Sequence, residues 1–182
     1  MKVTTFLTDG FETVEALAVV DILKRAKIEV ELVSITGKLD VTSAQNITVM
    51  AEKLIEDADF TDSDVLFVPG GSGHRSYLPN EALVNALKAH YAAGKRLAAI
   101  CAGPSVFGQL GMLQGKKAIA FPGFEEKLVG ADVQKAPVKT VTDGNITTSR
   151  GMGTSIDLGL EIVRILAGEE VAQSVAESAQ CL

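Results

Sequence analysis

At 182 residues the chain fits one domain, 1–182, and its 47% hydrophobic content is enough for a sizeable core. Lys and Arg number 17 against 23 Asp and Glu, a net charge of -6 that lacks the basic excess of a nucleic-acid binder. No apolar run is long enough to cross a bilayer, the run Met1 to Leu7 is too short for a signal peptide before Asp9 interrupts it, and two distant cysteines, Cys101 and Cys181, make no secreted disulfide framework; a reducing, cytoplasmic setting is expected.

Lys2 to Leu7 reads as a first strand, with Thr8-Asp9-Gly10 as the loop at its carboxyl end. Val14, Leu17, Ala18 and Ile22 recur at helical spacing, so an amphipathic helix is expected from about Thr13 to Ala26. Glu29 to Ile35 is a second strand, and strand, helix, strand implies a parallel pair with a right-handed crossover. Thr36-Gly37-Lys38 is a turn, and 41–51 holds one or two short strands, a hairpin excursion. The acidic stretch Glu56 to Asp64 reads as a solvated loop; it lacks the loop glycine and closing glutamate of a calcium site, and no metal is expected. Val65 to Val68 is a core strand ending in Pro69-Gly70-Gly71-Ser72-Gly73. Glu81 to Ala92 is a helix closed by Gly94, with His90 near its end expected in solvent, and Leu97 to Ile100 is a further strand. Ser105 to Leu110 continues as helix. Lys116 to Ala120, Val138 to Thr142 and Ile146 to Ser149 are short strands, the last two joined at Asp143-Gly144-Asn145. Ile156, Leu160, Val163 and Leu166 mark a long helix ending near Gly168, and a shorter one runs from Glu170 to Ser178. Strands alternating with helices predict an α/β doubly wound sandwich.

The chemistry concentrates at Ala98-Ala99-Ile100-Cys101-Ala102-Gly103-Pro104, where a buried strand gives way to a helix. Such a turn resembles a nucleophile elbow with cysteine in place of serine. Free amides and the helix dipole beside Cys101 would favour its thiolate, whereas the plainer reading is a buried cysteine acting as a small apolar residue. Ligands of such a fold bind beyond the carboxyl ends of the strands, which brings 8–12, 69–74 and the elbow together. Glu15, in the first turn of the first helix and partly facing apolar surroundings, is either a dipole-favoured acid or a carboxyl with raised pKa able to exchange a proton with Cys101; Glu12 is the weaker candidate. Gly70 and Gly71 are positioned to aim amides at a developing oxyanion, or simply form a tight turn. His74 is either an exposed loop residue or, if the glycine loop folds over the elbow, a proton-transfer partner of Cys101.

These residues resemble a family. Asp9-Gly10-Phe11-Glu12-Thr13-Val14-Glu15, Val68-Pro69-Gly70-Gly71, the elbow, and Thr148-Ser149-Arg150-Gly151-Met152-Gly153-Thr154-Ser155 look, in this order, like the ThiJ/PfpI superfamily, in the branch of the human parkinsonism-associated deglycase and bacterial ThiJ-like proteins. The resemblance implies a flavodoxin-like three-layer sandwich with a mainly parallel sheet, a homodimer, no cofactor, and Cys101 as oxidisable nucleophile partnered by Glu15. It also implies that Gly70, Gly71 and Ala102 supply backbone around the sulfur, and that Arg25, Ser149, Arg150 and Gly151 lie at the pocket rim or dimer interface. The expected activity is that of a glyoxalase or deglycase on small 2-oxoaldehydes; the alternative is a redox sensor or chaperone-like protein acting through oxidation of Cys101. The superfamily's proteases carry histidine after the cysteine, where this chain has Ala102, so a peptidase is disfavoured. Phe121 replaces the branch's histidine before Pro122, and Gln45 replaces an arginine of its anion site; both changes lower the activity and anion affinity that the resemblance implies. Cys181, next to the last residue, is expected to be incidental.

Overall fold

The structure is a computed structural model that describes residues 1–181. Strand β1 (Lys2–Leu7) is buried at every position, as the apolar and threonine run from Val3 to Leu7 requires of a strand covered on both faces, and the Lys2 ammonium at its start is paired with Glu31 and Asp62. Helix α1 (Thr13–Arg25) returns the chain to β2 (Glu29–Ser34), parallel to β1. A hairpin, β3 (Asp40–Thr42) and β4 (Thr48–Met50), then leaves the main sheet, as the turn chemistry predicted. It is followed by β5 (Lys53–Leu54), β6 (Val65–Val68), α2 (Glu81–Ala92) and β7 (Arg96–Ile100). The remainder is α3 (Pro104–Gln109), β8 (Lys117–Ala118), β9 (Asp132–Val133), β10 (Thr140–Asp143), β11 (Ile146–Ser149), α4 (Ser155–Ala167) and α5 (Glu169–Ser178).

The main sheet runs β10-β11-β7-β6-β1-β2-β5, parallel throughout except for the antiparallel edge pair β10 and β11. One face packs on α1, α4 and α5 through Val19, Leu23, Leu158, Ile162 and Val175; the other packs on α2 and α3 through Leu83, Leu87, Val106 and Phe107. This is the three-layer flavodoxin-like arrangement expected. Gly159 lets α4 close on α1, since a Cβ there would fall 2.8 Å from that of Ile22.

Four local expectations change. Lys116 to Ala120 shrinks to the two-residue β8, which pairs with the unforeseen β9 outside the main sheet. The acidic stretch is more than a solvated loop: Asp64 accepts from the Lys2 amide at 2.8 Å, Ser63 is fully buried, and Phe60 packs edge-on against Phe6 at 5.4 Å. His90 is buried at 5% exposure, because it sits on the same face of α2 as Leu83 and Leu87. Val14 and Ile156, chosen as core markers, are 42% exposed; the buried face of α1 carries Glu15, Ala16, Val19, Val20, Ile22 and Leu23 instead. Among the described residues no helix is long and apolar enough to cross a membrane.

Candidate active site at the β7–α3 elbow

Three carboxyl ends of parallel strands build the site: β1 leads to α1 and Glu15, β6 to Gly70 and Gly71, and β7 to Cys101. Cys101 has φ of 63°, a left-handed conformation that costs a non-glycine residue about 1–3 kcal/mol. It is held there from both sides. Its amide donates to the Ser149 carbonyl at 3.0 Å, continuing the β7–β11 ladder, and its carbonyl accepts from the Phe121 amide at 2.9 Å. Ser105, at the start of α3, donates its hydroxyl to the Ala102 carbonyl at 2.6 Å and locks the turn beyond.

Glu15 is 1% exposed, and its Oε2 accepts from the Gly70 amide at 3.0 Å. Gly70 fills the narrow gap between acid and elbow: a Cβ on it would lie 2.5 Å from Glu15 Oε2 and 2.6 Å from Cys101 Cβ. The loop is clamped from the other side as well, where Glu12 donates its amide to the Gly70 carbonyl at 3.1 Å and Phe11 bridges to Gly71.

Burial first, and then the charge of Glu12, push the Glu15 carboxyl up to about 7, against the opposing effect of the thiol and of the Gly70 and Met152 amides. This is the raised acid that the sequence pointed to. The expected resting thiolate does not follow. Burial, then the charge of Glu15, push the Cys101 thiol up to about 12, outweighing the Ala102 and Gly71 amides that favour negative sulfur. Helix α3 has six residues, and a helix terminus contributes only about 0.3–1 kcal/mol, too little to reverse that order. Burial and the Glu15 charge thus favour the protonated sulfur, and burial favours the protonated carboxyl beside it.

The other named residues separate. Gly71 and Ala102 turn amides toward the sulfur, whereas the Gly70 amide is taken by Glu15. Ser149 is fully buried and structural, its Oγ 2.7 Å from Thr154 Oγ1 and 2.9 Å from the Lys139 carbonyl. Arg150 donates to the Val138 carbonyl at 3.2 Å and, with Gly151, Phe121, Pro122, Met152 and Thr154, lines a cavity of about 340 Å³ beside the elbow. His74 turns Nδ1 to the Gly71 carbonyl at 2.9 Å and packs edge-on against Phe124. Arg25 pairs with Asp21 at 2.7 Å in the last turn of α1, about 15 Å along the helix from Glu15, and borders α5 rather than the elbow pocket. Gln45 accepts from the Thr13 amide at 3.1 Å and donates to Glu12 at 2.9 Å, tying the hairpin tip to the start of α1. Sequence reasoning missed the Met152 amide, which reaches Glu15 from the loop before α4; a backbone contact of this kind leaves no side-chain signal.

The sequence profile of the DJ-1/PfpI family matches residues 1–165, and the chain belongs to that family. It is 39% identical over 166 residues to protein DJ-1 homolog B of Arabidopsis thaliana, covering 90% of this chain but 37% of that longer protein, so the chain spans well under half of that relative. Drosophila melanogaster protein dj-1beta is 31% identical over 94% of this chain and 92% of its own length. A protein named deglycase from Pyrococcus abyssi is 30% identical over 91% of this chain and 99% of its own. Among solved structures, oxidized DJ-1 of Toxoplasma gondii superposes with a TM-score of 0.93 at 31% identity, covering 98% and 97% of the two chains.

Proposed function

We propose that the protein is a cofactor-free, cysteine-dependent enzyme of the glyoxalase or deglycase type acting on small 2-oxoaldehydes. The observation that carries this reading is the buried Glu15 carboxyl, poised near neutrality, across Gly70 from the Cys101 thiol. In the first step Cys101 Sγ attacks the aldehyde carbon while Glu15 takes the thiol proton, and the new alkoxide is protonated to a hemithioacetal. Glu15 then removes the proton from that carbon and returns one to the adjacent carbonyl carbon, while the hydroxyl proton of the first carbon passes to the oxygen of the second, giving the thioester of a 2-hydroxy acid. Water cleaves the thioester, releasing the acid and restoring the thiol. The Gly71 and Ala102 amides are the donors nearest the developing negative charge. The absence of histidine at Phe121 leaves Glu15 to carry each transfer, which fits a slow enzyme.

The second reading, a redox sensor oxidised at Cys101, draws support from the likeness to an oxidized DJ-1 and from the same two amides, which suit sulfinate oxygens. We also read the protein as a cytoplasmic homodimer: Val14, Met152 and Ile156 are apolar and exposed by 42–54%.

The test is 2-hydroxy acid release from methylglyoxal by wild type, Cys101→Ser and Glu15→Gln. Acid from wild type alone supports the enzyme; none above a protein-free control ends that reading.

A further inference from the structure

Gly71 carries one of the two amides turned toward the Cys101 sulfur, and its backbone sits at φ 100° and ψ 175°, a region open to glycine alone. A Cβ at this position would collide with the Glu12 nitrogen and the Gly10 oxygen, so no other residue fits. The freedom that lets glycine take this shape also lets it leave. The direction of its amide has to be imposed by neighbours.

One restraint acts on the peptide before Gly71. The Gly70 carbonyl and the Gly71 amide share one planar trans unit and point opposite ways, so the Glu12 amide that holds this carbonyl at 3.1 Å turns the Gly71 amide toward the elbow. The restraint on the peptide after Gly71 comes from His74. In the short turn Ser72–Ser76, the His74 backbone amide donates to the Gly71 carbonyl at 3.2 Å and the ring Nδ1 donates to the same oxygen at 2.9 Å. One residue thus occupies both lone pairs. A carbonyl only accepts, so Nδ1 carries hydrogen, and protonation at Nε2 leaves the bond intact.

The imidazole is braced in turn. It packs edge-on against Phe124 with ring centroids 5.1 Å apart, and the Phe124 amide donates to the Phe121 carbonyl at 3.0 Å. The Phe121 amide holds the Cys101 carbonyl. Contacts therefore close a circuit from the elbow through 121–124 and His74 to the Gly71 amide at the sulfur.

We propose that His74 is a positioning residue whose Nδ1–H fixes the Gly71 peptide, so that the Gly71 amide stays on the Cys101 sulfur as negative charge forms there. His74 acts on the thiol through this peptide. The inference concerns the reactivity of the sulfur and goes beyond the 2-oxoaldehyde chemistry proposed above.

The test is iodoacetamide alkylation of the full chain at pH 8, read by peptide mass spectrometry with Cys181 as internal control. His74→Phe keeps a ring for Phe124 and deletes the donor. Alkylation of Cys101 is expected to slow about tenfold, the worth of a modest hydrogen bond to a charged group, with the Cys181 rate and the melting temperature unchanged. His74→Asn sets a side-chain amide donor where Nδ1 stood and is expected to restore a rate near that of wild type. A wild-type rate in His74→Phe, an equal slowing at Cys181, or an Asn variant as slow as the Phe variant overturns the proposal. The reagent is no substrate, so the result stands apart from whether methylglyoxal is turned over.

Discussion

The Gly70 amide donates to Glu15 Oε2 at 3.0 Å, and the same glycine has no room for a methyl group between that oxygen and Cys101. Gly70→Ala therefore strains acid and elbow together. Destabilisation of about 1–3 kcal/mol is expected from overpacking, with loss of acid production larger than the loss of fold. Urea unfolding and a methylglyoxal assay on the same sample separate the two effects.

Removing the Glu15 charge takes away one of the causes that hold the thiol up near 12. Glu15→Gln should lower the Cys101 pKa and speed its alkylation by iodoacetamide at pH 8, even as turnover is lost for want of a base. The measurement is the pH dependence of alkylation at Cys101. Slower alkylation of the variant would show that the acid steadies the thiolate instead.

The buried acid also links stability to pH. Its folded pKa of about 7 lies above the ordinary carboxyl value of 4.5, so between these values the native state holds the proton that the unfolded chain has already released. Stability from this group is fully present below about pH 4.5 and falls as pH rises through 7, by roughly 3 kcal/mol in all. Thermal melts from pH 5 to 8 should decline in the wild type by several degrees more than in Glu15→Gln.

Phe121 is 48% exposed and bonded to the elbow only through its amide, so its side chain is replaceable. Phe121→His should leave stability nearly unchanged and raise acid production, toward the ~100-fold that a positioned acid–base group supplies. Unchanged kcat in a folded variant would mean that Glu15 alone limits the proton transfers.

Mild peroxide should add two oxygens to Cys101 ahead of Cys181, because the Gly71 and Ala102 amides turned toward the Cys101 sulfur suit sulfinate oxygens. Peptide mass spectrometry reads this directly; preferential oxidation of Cys181 would count against the sensor reading.

Much of the fold was legible because the strands are short apolar or threonine-rich runs bounded by turn residues: β1, β6 and β11 have the predicted bounds, and Glu15 and the glycine loop meet as motif order implied. What the sequence hid has physical causes. Strands β5 and β9 have two residues each, too short for any periodicity to register. His90 is carried inward by a helical face that Leu83 and Leu87 define, although its residue type argued for solvent. The resting state of Cys101 depends first on how deeply its own sulfur is buried and then on the charge of the acid beside it, properties of packing that no spacing of residues encodes.

The backbone at Cys101 adopts a shape natural to glycine, with the Ser149 carbonyl and the Phe121 amide gripping it on either side. Reactivity and sturdiness are therefore opposed at this position. Substituting glycine there should yield a protein that melts higher and reacts with nothing, which makes the cysteine a tolerated defect in the scaffold, retained for what its sulfur does.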